Sequence, residues 1–334
     1  MSTQVTSNQQ IPTAPSSSGP RRSALWRRLA NREMALLLAC VVELIVLGQM
    51  SPYFLTVSNL FDASRYFAES GLIALGMSLV IMTGGIDLSV GSVLALVSVV
   101  IGFSFKAGVP LELAIALGLL TGLVCGFFNG VFIARLGLLP LTVTLGTLAL
   151  FRGLAYAITG ADSVSTFPLW FSQIGGSYVG QVPDQLIFFL IVGALVWLLM
   201  NRTRFGRYVS AIGFNEEAAR FSGVPVRRVK TAVYVIAGGL VGLSSLIYTS
   251  RVFSARADAG VGIELTAITA VVLGGASIMG GSGTVVGTLL AAFLLTFLQN
   301  GLIIASVPGE LQSVIVGAAL LIGVFLNARV GRAR

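Results

Sequence analysis

The chain has 334 residues, of which 55% are hydrophobic and 10% are charged, and its formal net charge is +8. Soluble domains carry about 25% charged residues, and a soluble fold of this length cannot hide so much apolar surface behind so few charges. The composition therefore excludes an ordinary soluble enzyme and predicts an integral membrane protein. The basic residues cluster at the ends of apolar runs rather than in a stripe with aromatic residues, which argues against nucleic-acid binding.

Histidine is absent, and the two cysteines, Cys40 and Cys125, lie within apolar runs. The sequence thus excludes a histidine general base and a histidine metal site, and its cysteines lack zinc-binding spacing. We expect no metal and no cofactor, and interpret the cysteines as small core residues.

The N-terminal segment is polar and then basic. Residues 1–20 are rich in Ser, Thr, Gln and Pro, and several arginines follow. Such a composition is typical of disorder, so residues 1–32 are predicted to be a disordered basic cytoplasmic tail. Residues 33–330 are predicted to form the transmembrane domain. No small-residue cleavage site is evident after Leu47, which favours an uncleaved first helix over a signal peptide.

Ten apolar windows follow, each close to the roughly 20 residues that a spanning helix needs. They lie at about 34–51, 66–83, 88–105, 111–134, 139–159, 185–200, 231–250, 264–280, 284–301 and 311–328. Most of the 21 Lys and Arg residues lie before the first window, between the sixth and the seventh, or after the last. Both termini and the loop 201–230 are therefore predicted to be cytoplasmic. The result is an all-α polytopic membrane helix bundle of about ten spans; eight spans would also be even in number.

Paired glycines occur at two places within or between these windows. Gly84 and Gly85 precede Asp87, and a second set occupies residues 274–275 and 280–283. Both places are compatible with hairpins that stop inside the membrane. For the second set, a tight turn between packed helices and a gate near the cytoplasmic mouth are equally open interpretations.

The hydrophilic loop 160–184 contains no Lys or Arg and is expected outside. Its aromatic residues are interpreted as anchors at the membrane interface, with a docking surface for an external partner as the alternative. These residues are Phe167, Trp170, Phe171 and Tyr178.

The loop 201–230 is basic and contains the signals of one short helix. Asn215 is a good N-cap residue, Glu216 and Glu217 fall in the first turn, and Gly223 ends the helix. The helix is either a well-capped connector or a coupling element that fits a groove on a cytoplasmic motor. The residues assigned to coupling are Phe214, Asn215, Glu216, Glu217, Ala218, Ala219, Arg220 and Gly223.

Four stretches of the sequence resemble a known family. Residues 216–219, with Gly223 after them, look like the EAA-type loop of ABC importer permeases. Residues 82–92 (MTGGIDLSVGS) resemble the GGIDLSVG signature of the ribose-type sugar permeases. Residues 140–147 and residues 267–283 resemble two other glycine-containing stretches of that family, and the likeness covers roughly residues 35–328. Residues 254–258 and 306–308 look more like the autoinducer-2 and rhamnose branch than the ribose one.

The resemblance implies a permease subunit of a bacterial ABC importer that passes a sugar or sugar-like molecule across the inner membrane. It implies three partners: a cytoplasmic ATP-binding subunit, a periplasmic sugar-binding protein and a second permease, either identical or related. The sequence contains no G-x-x-x-x-G-K-[ST] phosphate loop, so the chain is not expected to be an enzyme and ATP hydrolysis would belong to the partner.

Polar residues and glycines within the spans are the candidates for the translocation path or its gate. Ionisable groups there are costly, so they usually face protein or water. Asp87 either anchors the start of the third span or binds sugar hydroxyls, and the structural role is favoured. Uncharged polar residues in spans more often bond neighbouring helices than a ligand. The assigned residues are Gly84, Gly85, Asp87, Ser89, Asn129, Thr144, Thr147, Gly274, Gly275, Gly280 and Gly281.

The main alternative is a stand-alone secondary carrier of a small neutral solute, built on broken helices. The acids in the spans are few and scattered, and the loop 201–230 would have no purpose in such a carrier. An intramembrane enzyme is disfavoured because no catalytic signature occurs in the spans.

Overall fold

The computed structural model of the protein describes residues 21–160 and 162–332, with side chains at 33–160, 162–321 and 325. The regular secondary structure of the described part consists of helices, one two-stranded hairpin and an isolated bridge between Val164 and Ala255. The helices are α1 (Arg21–Met50), α2 (Val57–Met82), α3 (Val90–Lys106), α4 (Leu111–Ala134), α5 (Pro140–Thr159), α6 (Leu169–Ile174), α7 (Asp184–Arg202), α8 (Arg204–Phe214), α9 (Glu216–Phe221), α10 (Val226–Val252), α11 (Ile263–Leu273), α12 (Val285–Ile304) and α13 (Gly309–Arg332).

Each predicted window contains one apolar helix, which confirms the polytopic helical bundle. Seven helices are long and apolar enough to cross a membrane, namely α2, α4, α5, α7, α10, α12 and the part of α1 from Glu33 onward. Three apolar helices are shorter: α3, α11 and the first half of α13. The number of crossings and the cytoplasmic placement of both termini stay predictions from the distribution of basic residues.

Two predicted boundaries are wrong for identifiable reasons. Helix α2 begins at Val57 rather than near residue 66, because Thr56 caps it by accepting a hydrogen bond from the Asn59 N–H. Its first turns are too polar to register as membrane-spanning. Helix α11 ends at Leu273 instead of extending to residue 280, because Gly275 adopts φ +93° and turns the chain.

The bundle is built around α10, which packs against α2 and α4. Glycine makes the contact with α4 possible: a Cβ atom on Gly122 would lie 2.7 Å from the Gly238 carbonyl oxygen. Small residues let helices approach to this distance in a membrane, where no hydrophobic driving force holds them together. Tyr234 of α10 is fully buried in this core.

The loop 201–230, which is predicted to be cytoplasmic, contains two helices, α8 and α9, where the sequence predicted one. Thr203 caps α8 by accepting a hydrogen bond from the Phe205 N–H at 3.1 Å. The buried residues Gly206, Val209 and Ile212 recur every third position along α8. That helical spacing is visible in the sequence, but the clustered arginines around it favoured a loop.

The external segment, meaning residues 160–184 that are predicted to lie outside, contains α6 and a hairpin that pairs β1 (Tyr178–Val179) with β2 (Val182–Pro183). Phe167 and Phe171 are buried against each other, with ring centroids 4.6 Å apart, so their interpretation as membrane anchors is wrong. Trp170 and Tyr178 are exposed. At the other end of the chain, α1 begins at Arg21, inside the predicted tail, and residues 1–20 lie outside the described residues.

Candidate functional site

Two glycine turns meet at one end of the bundle. The first turn, residues 83–89, joins α2 to α3, and the second, residues 274–284, joins α11 to α12. Gly281 donates its backbone N–H to the Met82 carbonyl oxygen at 3.0 Å. Gly84 and Gly280 both have positive φ, and a Cβ atom on Gly280 would lie 2.7 Å from the Gly84 nitrogen. The predicted hairpins are therefore parts of one main-chain contact.

The C-terminal end of α8 rests on this contact. A Cβ atom on Gly213 would collide with the Met82 carbonyl oxygen and the Gly281 nitrogen. The neighbouring Phe214 also contacts Gly281, and its side chain is 73% exposed. Gly213 was not among the residues assigned from the sequence, because a single glycine in a basic loop carries no distinctive signal.

Helix α9 has the predicted caps. Asn215 Oδ1 accepts a hydrogen bond from the Ala218 N–H at 2.9 Å, and Gly223 has φ +81° after the helix. Ala219 is buried, whereas Phe221 is 83% exposed. Of the two glutamates, Glu216 binds a neighbouring helix: its Oε2 accepts a hydrogen bond from Lys230 Nζ of α10 at 2.9 Å.

Asp87 is buried at the start of α3. Its Oδ1 accepts hydrogen bonds from the Ser89 N–H at 2.9 Å and the Ser89 hydroxyl at 2.6 Å. Asn129 Nδ2 donates to the Ser89 hydroxyl oxygen at 2.9 Å, and Thr144 donates to the Ile86 carbonyl oxygen at 3.0 Å. Three helices are thereby joined at one break in the chain, which matches the anchoring role favoured for Asp87.

Two polar atoms close to Asp87 are buried and without a partner among the described residues: the Tyr234 hydroxyl and Asn129 Oδ1. The Tyr234 hydroxyl lies against Gly85, where a Cβ atom would come within 2.5 Å of it. Buried groups of this kind cost free energy unless a water or ligand satisfies them. The break therefore offers unused hydrogen-bonding capacity.

The remaining assigned glycine and threonine residues are divided between two places. Gly274 packs against Gly287 of α12, at the base of the second turn, and Gly275 follows it. Thr147 donates a hydrogen bond to the Thr144 carbonyl oxygen at 3.4 Å. It also lines an open apolar cavity of about 490 Å³ between α4 and α5. The cavity is lined by Phe128, Phe132, Gly137, Leu138, Leu139, Thr142, Val143, Gly146 and Thr147.

A third break lies between α10 and α11. Residues 253–262 are not helical, and Phe253, Gly260 and Gly262 have positive φ. Arg152 of α5 donates hydrogen bonds from Nη1 to the carbonyl oxygens of Ala257 at 2.6 Å and Ala259 at 2.7 Å. Arg152 thus holds irregular backbone in place by satisfying two of its carbonyl groups.

Sequence reasoning missed a buried ion pair. Arg251 of α10 donates two hydrogen bonds to the Glu69 carboxylate of α2, from Nε at 2.6 Å and from Nη2 at 2.9 Å. The guanidinium also lies over the Tyr66 ring, 4.3 Å from its centroid. Glu69 is the only acid in the predicted window 66–83. Because an ionisable group inside a membrane span is energetically costly, its presence there marks Glu69 as a candidate functional residue.

Within the described residues, no group of three or more Asp, Glu or Cys side chains could hold a metal ion. The polar groups that the fold collects are hydroxyls, amides and paired charges. Together with the broken apolar helices and the capped cytoplasmic helix, they define a multi-pass membrane permease.

Comparison with known proteins gives the family. Residues 59–324 match the family described as branched-chain amino acid transport system / permease component. The chain is 40% identical over 304 residues to the autoinducer 2 import system permease protein LsrD of Salmonella typhimurium, covering 89% of this chain and 91% of the relative. It is 38% identical to the Klebsiella pneumoniae protein of that name over 298 residues, covering 87% of this chain and 90% of the relative.

The chain therefore belongs to this permease family of ABC importers and is a multi-pass inner-membrane protein. The predicted resemblance, including that to the autoinducer-2 branch, is confirmed. No solved structure matches the chain.

Proposed function

We propose that this chain forms the membrane path for a small sugar-like molecule, and that it works with three partners. A cytoplasmic ATP-binding subunit hydrolyses ATP, a periplasmic binding protein delivers the cargo, and a second permease completes the path. Autoinducer 2 is the first cargo to test, because it appears in the names of the relatives. A sugar of the ribose type is the second.

One observation carries the proposal: the contact of Gly213 with Met82 and Gly281 joins the cytoplasmic helices to both inner turns. Beyond it, α8 and α9 end at Phe214 and Phe221, whose exposed rings face the cytoplasm. Large exposed apolar groups on a cytoplasmic surface are typical of a docking site for another protein. A displacement of α8 and α9 would reach the turns directly.

The mechanism that follows is alternating access. Closure of the ATP-binding subunits pushes α8 and α9 as a rigid body, and the two glycine turns move with them. The turns, together with the polar group around Asp87, form the inner end of the path. The energy comes from the partner, since the permease supplies only the coupling contact and the passage.

The first test is purification of the tagged chain from native membranes in gentle detergent, with partners identified by mass spectrometry. Recovery of an ATP-binding subunit and a periplasmic binding protein is expected. The assembled complex is then placed in liposomes, where import of autoinducer 2 should require ATP. Uptake by the chain alone, without ATP, would favour the secondary carrier instead.

Replacement of both Glu216 and Glu217 by alanine tests the coupling helix. It removes the hydrogen bond to Lys230 and both charges that α9 presents in its first turn. We expect ATP-driven import to fall, while the yield of the complex in the membrane stays normal. Glu112→Ala, an exposed acid in the first turn of α4, is the matched control. Full import by the double variant would contradict the coupling role.

A further inference from the structure

The third break brings charged residues to the outer end of the bundle. Ala255 pairs with Val164 of the external segment, so residues 253–262 start at the outer surface and run inward to α11. Helix α11 has 11 residues, which span about 16 Å, roughly half of the hydrocarbon core. The non-helical residues must therefore account for the outer half of this crossing.

Irregular backbone at membrane depth is tolerated only where it is buried in protein or lines a water-filled cavity. Arg152 satisfies two carbonyl groups of the segment. Arg256 and Asp258, however, pair with each other through two hydrogen bonds while their side chains stay 56% and 46% exposed. Both residues closely follow Ala255 at the outer surface, and exposed charges beside irregular backbone do not face lipid. This face of the bundle therefore opens toward water at its outer end.

Glu264 belongs to the same face. It is the second residue of α11, it is partly exposed, and its carboxylate oxygen lies over Gly91 in the first turn of α3. Gly91 and Gly260 are also in close contact. The start of α3, the start of α11 and the third break thus converge beside Arg152, with the exposed Val261 and Leu265 around them.

The chemistry of this group indicates its ligand. Arg256 offers donors, and Asp258 and Glu264 offer acceptors. Arg152, whose Nη1 is held by the segment, brings the formal charge of the group to zero. A net-neutral group of donors and acceptors suits an uncharged molecule that has several hydroxyl groups, because each hydroxyl both donates and accepts. An anion or a cation would find no excess of opposite charge there.

We infer that residues 253–262, together with Arg152 and Glu264, form a cargo-binding site in the outer half of the path for an uncharged, hydroxyl-rich small molecule. Glu264 accepts hydrogen bonds from the cargo, and Arg152 is a positioning residue that holds the segment against α5. The choice of ligand rests on the proposed transport function. The assignment of this face to a water path does not depend on that function.

The water path is tested by thiol labelling of the assembled complex in membranes with a membrane-impermeant maleimide. Val261→Cys and Glu264→Cys are expected to react much faster than Leu120→Cys, whose site on α4 is also exposed but lies on an apolar face. The native Cys40 and Cys125 are buried and serve as the background. If Val261→Cys and Glu264→Cys reacted no faster than Leu120→Cys, the inference would be overturned. Either lipid or the second permease would then cover this face.

The ligand role is tested by import into liposomes containing the whole complex, with autoinducer 2 and ribose as probes. Glu264→Gln keeps the shape but loses the charged acceptor, and the expected effect is an increase in KM of about tenfold. Arg152→Lys should lower the maximal rate instead, because it loosens the segment. Glu112→Gln is the matched control and should change neither.

An unchanged KM for Glu264→Gln, in a complex whose unmodified form imports the probe, would overturn the ligand role. If the unmodified complex imports neither probe, the proposed cargo fails, and the labelling result still decides whether this face lies in water.

Discussion

Arg251 holds the Glu69 carboxylate in a bidentate pair that ties α10 to α2 in the outer half of the bundle. Ser244 donates to the Glu69 carbonyl oxygen at 2.9 Å, so the same turn of α2 is fixed through its main chain as well. Removing one partner from a buried ion pair leaves the other charge uncompensated, which costs more than the pair itself contributes.

Arg251→Ala is therefore expected to destabilise the protein by about 3–5 kcal/mol. The effect is measured as the midpoint of thermal unfolding in detergent, which is monitored through the loss of the monodisperse protein peak. Asp62→Ala is the control, because Asp62 is exposed and its oxygen lies 4.0 Å from Arg65; such surface pairs contribute about 0–1 kcal/mol. The double variant Glu69→Leu with Arg251→Met should recover part of the loss. A single variant as stable as the control would contradict the role of the pair.

Gly213→Ala is predicted to disrupt the inner contact. The added methyl group would overlap main-chain atoms of Met82 and Gly281, which cannot rotate away. ATP-driven import should fall sharply while ATP hydrolysis by the partner continues, since the two processes lose their mechanical connection. Gly153→Ala is the control, because no atom lies within 4 Å of the added methyl group. Normal import by Gly213→Ala would show that the contact opens freely during transport.

Asp87 allows its two interpretations to be separated. Asp87→Ala leaves the buried Ser89 N–H without its acceptor, and the expected loss of stability is about 1–3 kcal/mol. Asp87→Asn keeps an acceptor oxygen for Ser89 and should retain most of the stability and the same KM for the cargo. A large rise in KM for Asp87→Asn, with the thermal midpoint unchanged, would favour the ligand role over the anchor.

Asn215→Ala removes the cap of α9, in which Oδ1 accepts from the Ala218 N–H. Loss of such a cap costs about 1 kcal/mol, and in a helix of six residues that is enough to unravel it. Faster hydrogen exchange of residues 216–221 is expected, together with weaker capture of the ATP-binding subunit. Asn215→Asp preserves the cap and should behave like the unmodified chain; equal loss in both variants would point to the side-chain amide as a direct contact.

The sequence was a good guide wherever a single element carries its own signal. The ten apolar windows and the caps Asn215 and Gly223 are examples, because hydropathy and capping depend on neighbouring residues in the chain. Contacts between distant segments were not predictable in this way. The ion pair of Glu69 with Arg251 joins residues far apart in the sequence, and Arg152 has carbonyl oxygens as partners, which no side-chain pattern reveals.

The candidate site was only partly predictable for the same reason. Residues 82–92 and 267–283 resemble known motifs, so their glycines were assigned before the structure placed them together. Gly213 and Glu264 belong to no such motif and were missed. Their importance comes from what lies opposite them: the carbonyl oxygen of Met82 in one case and the first turn of α3 in the other.

The contact between the two inner turns is made of peptide groups, with Gly84, Gly280 and Gly281 at its centre. A joint without side chains has no rotamers through which it could adjust gradually, so it either holds or separates. Almost any replacement of these glycines would prevent the two turns from fitting together. Adaptation to a new cargo is therefore not expected to change these residues. Diversification among permeases of this kind is therefore expected to accumulate toward the periplasm, leaving the inner end as a common moving part.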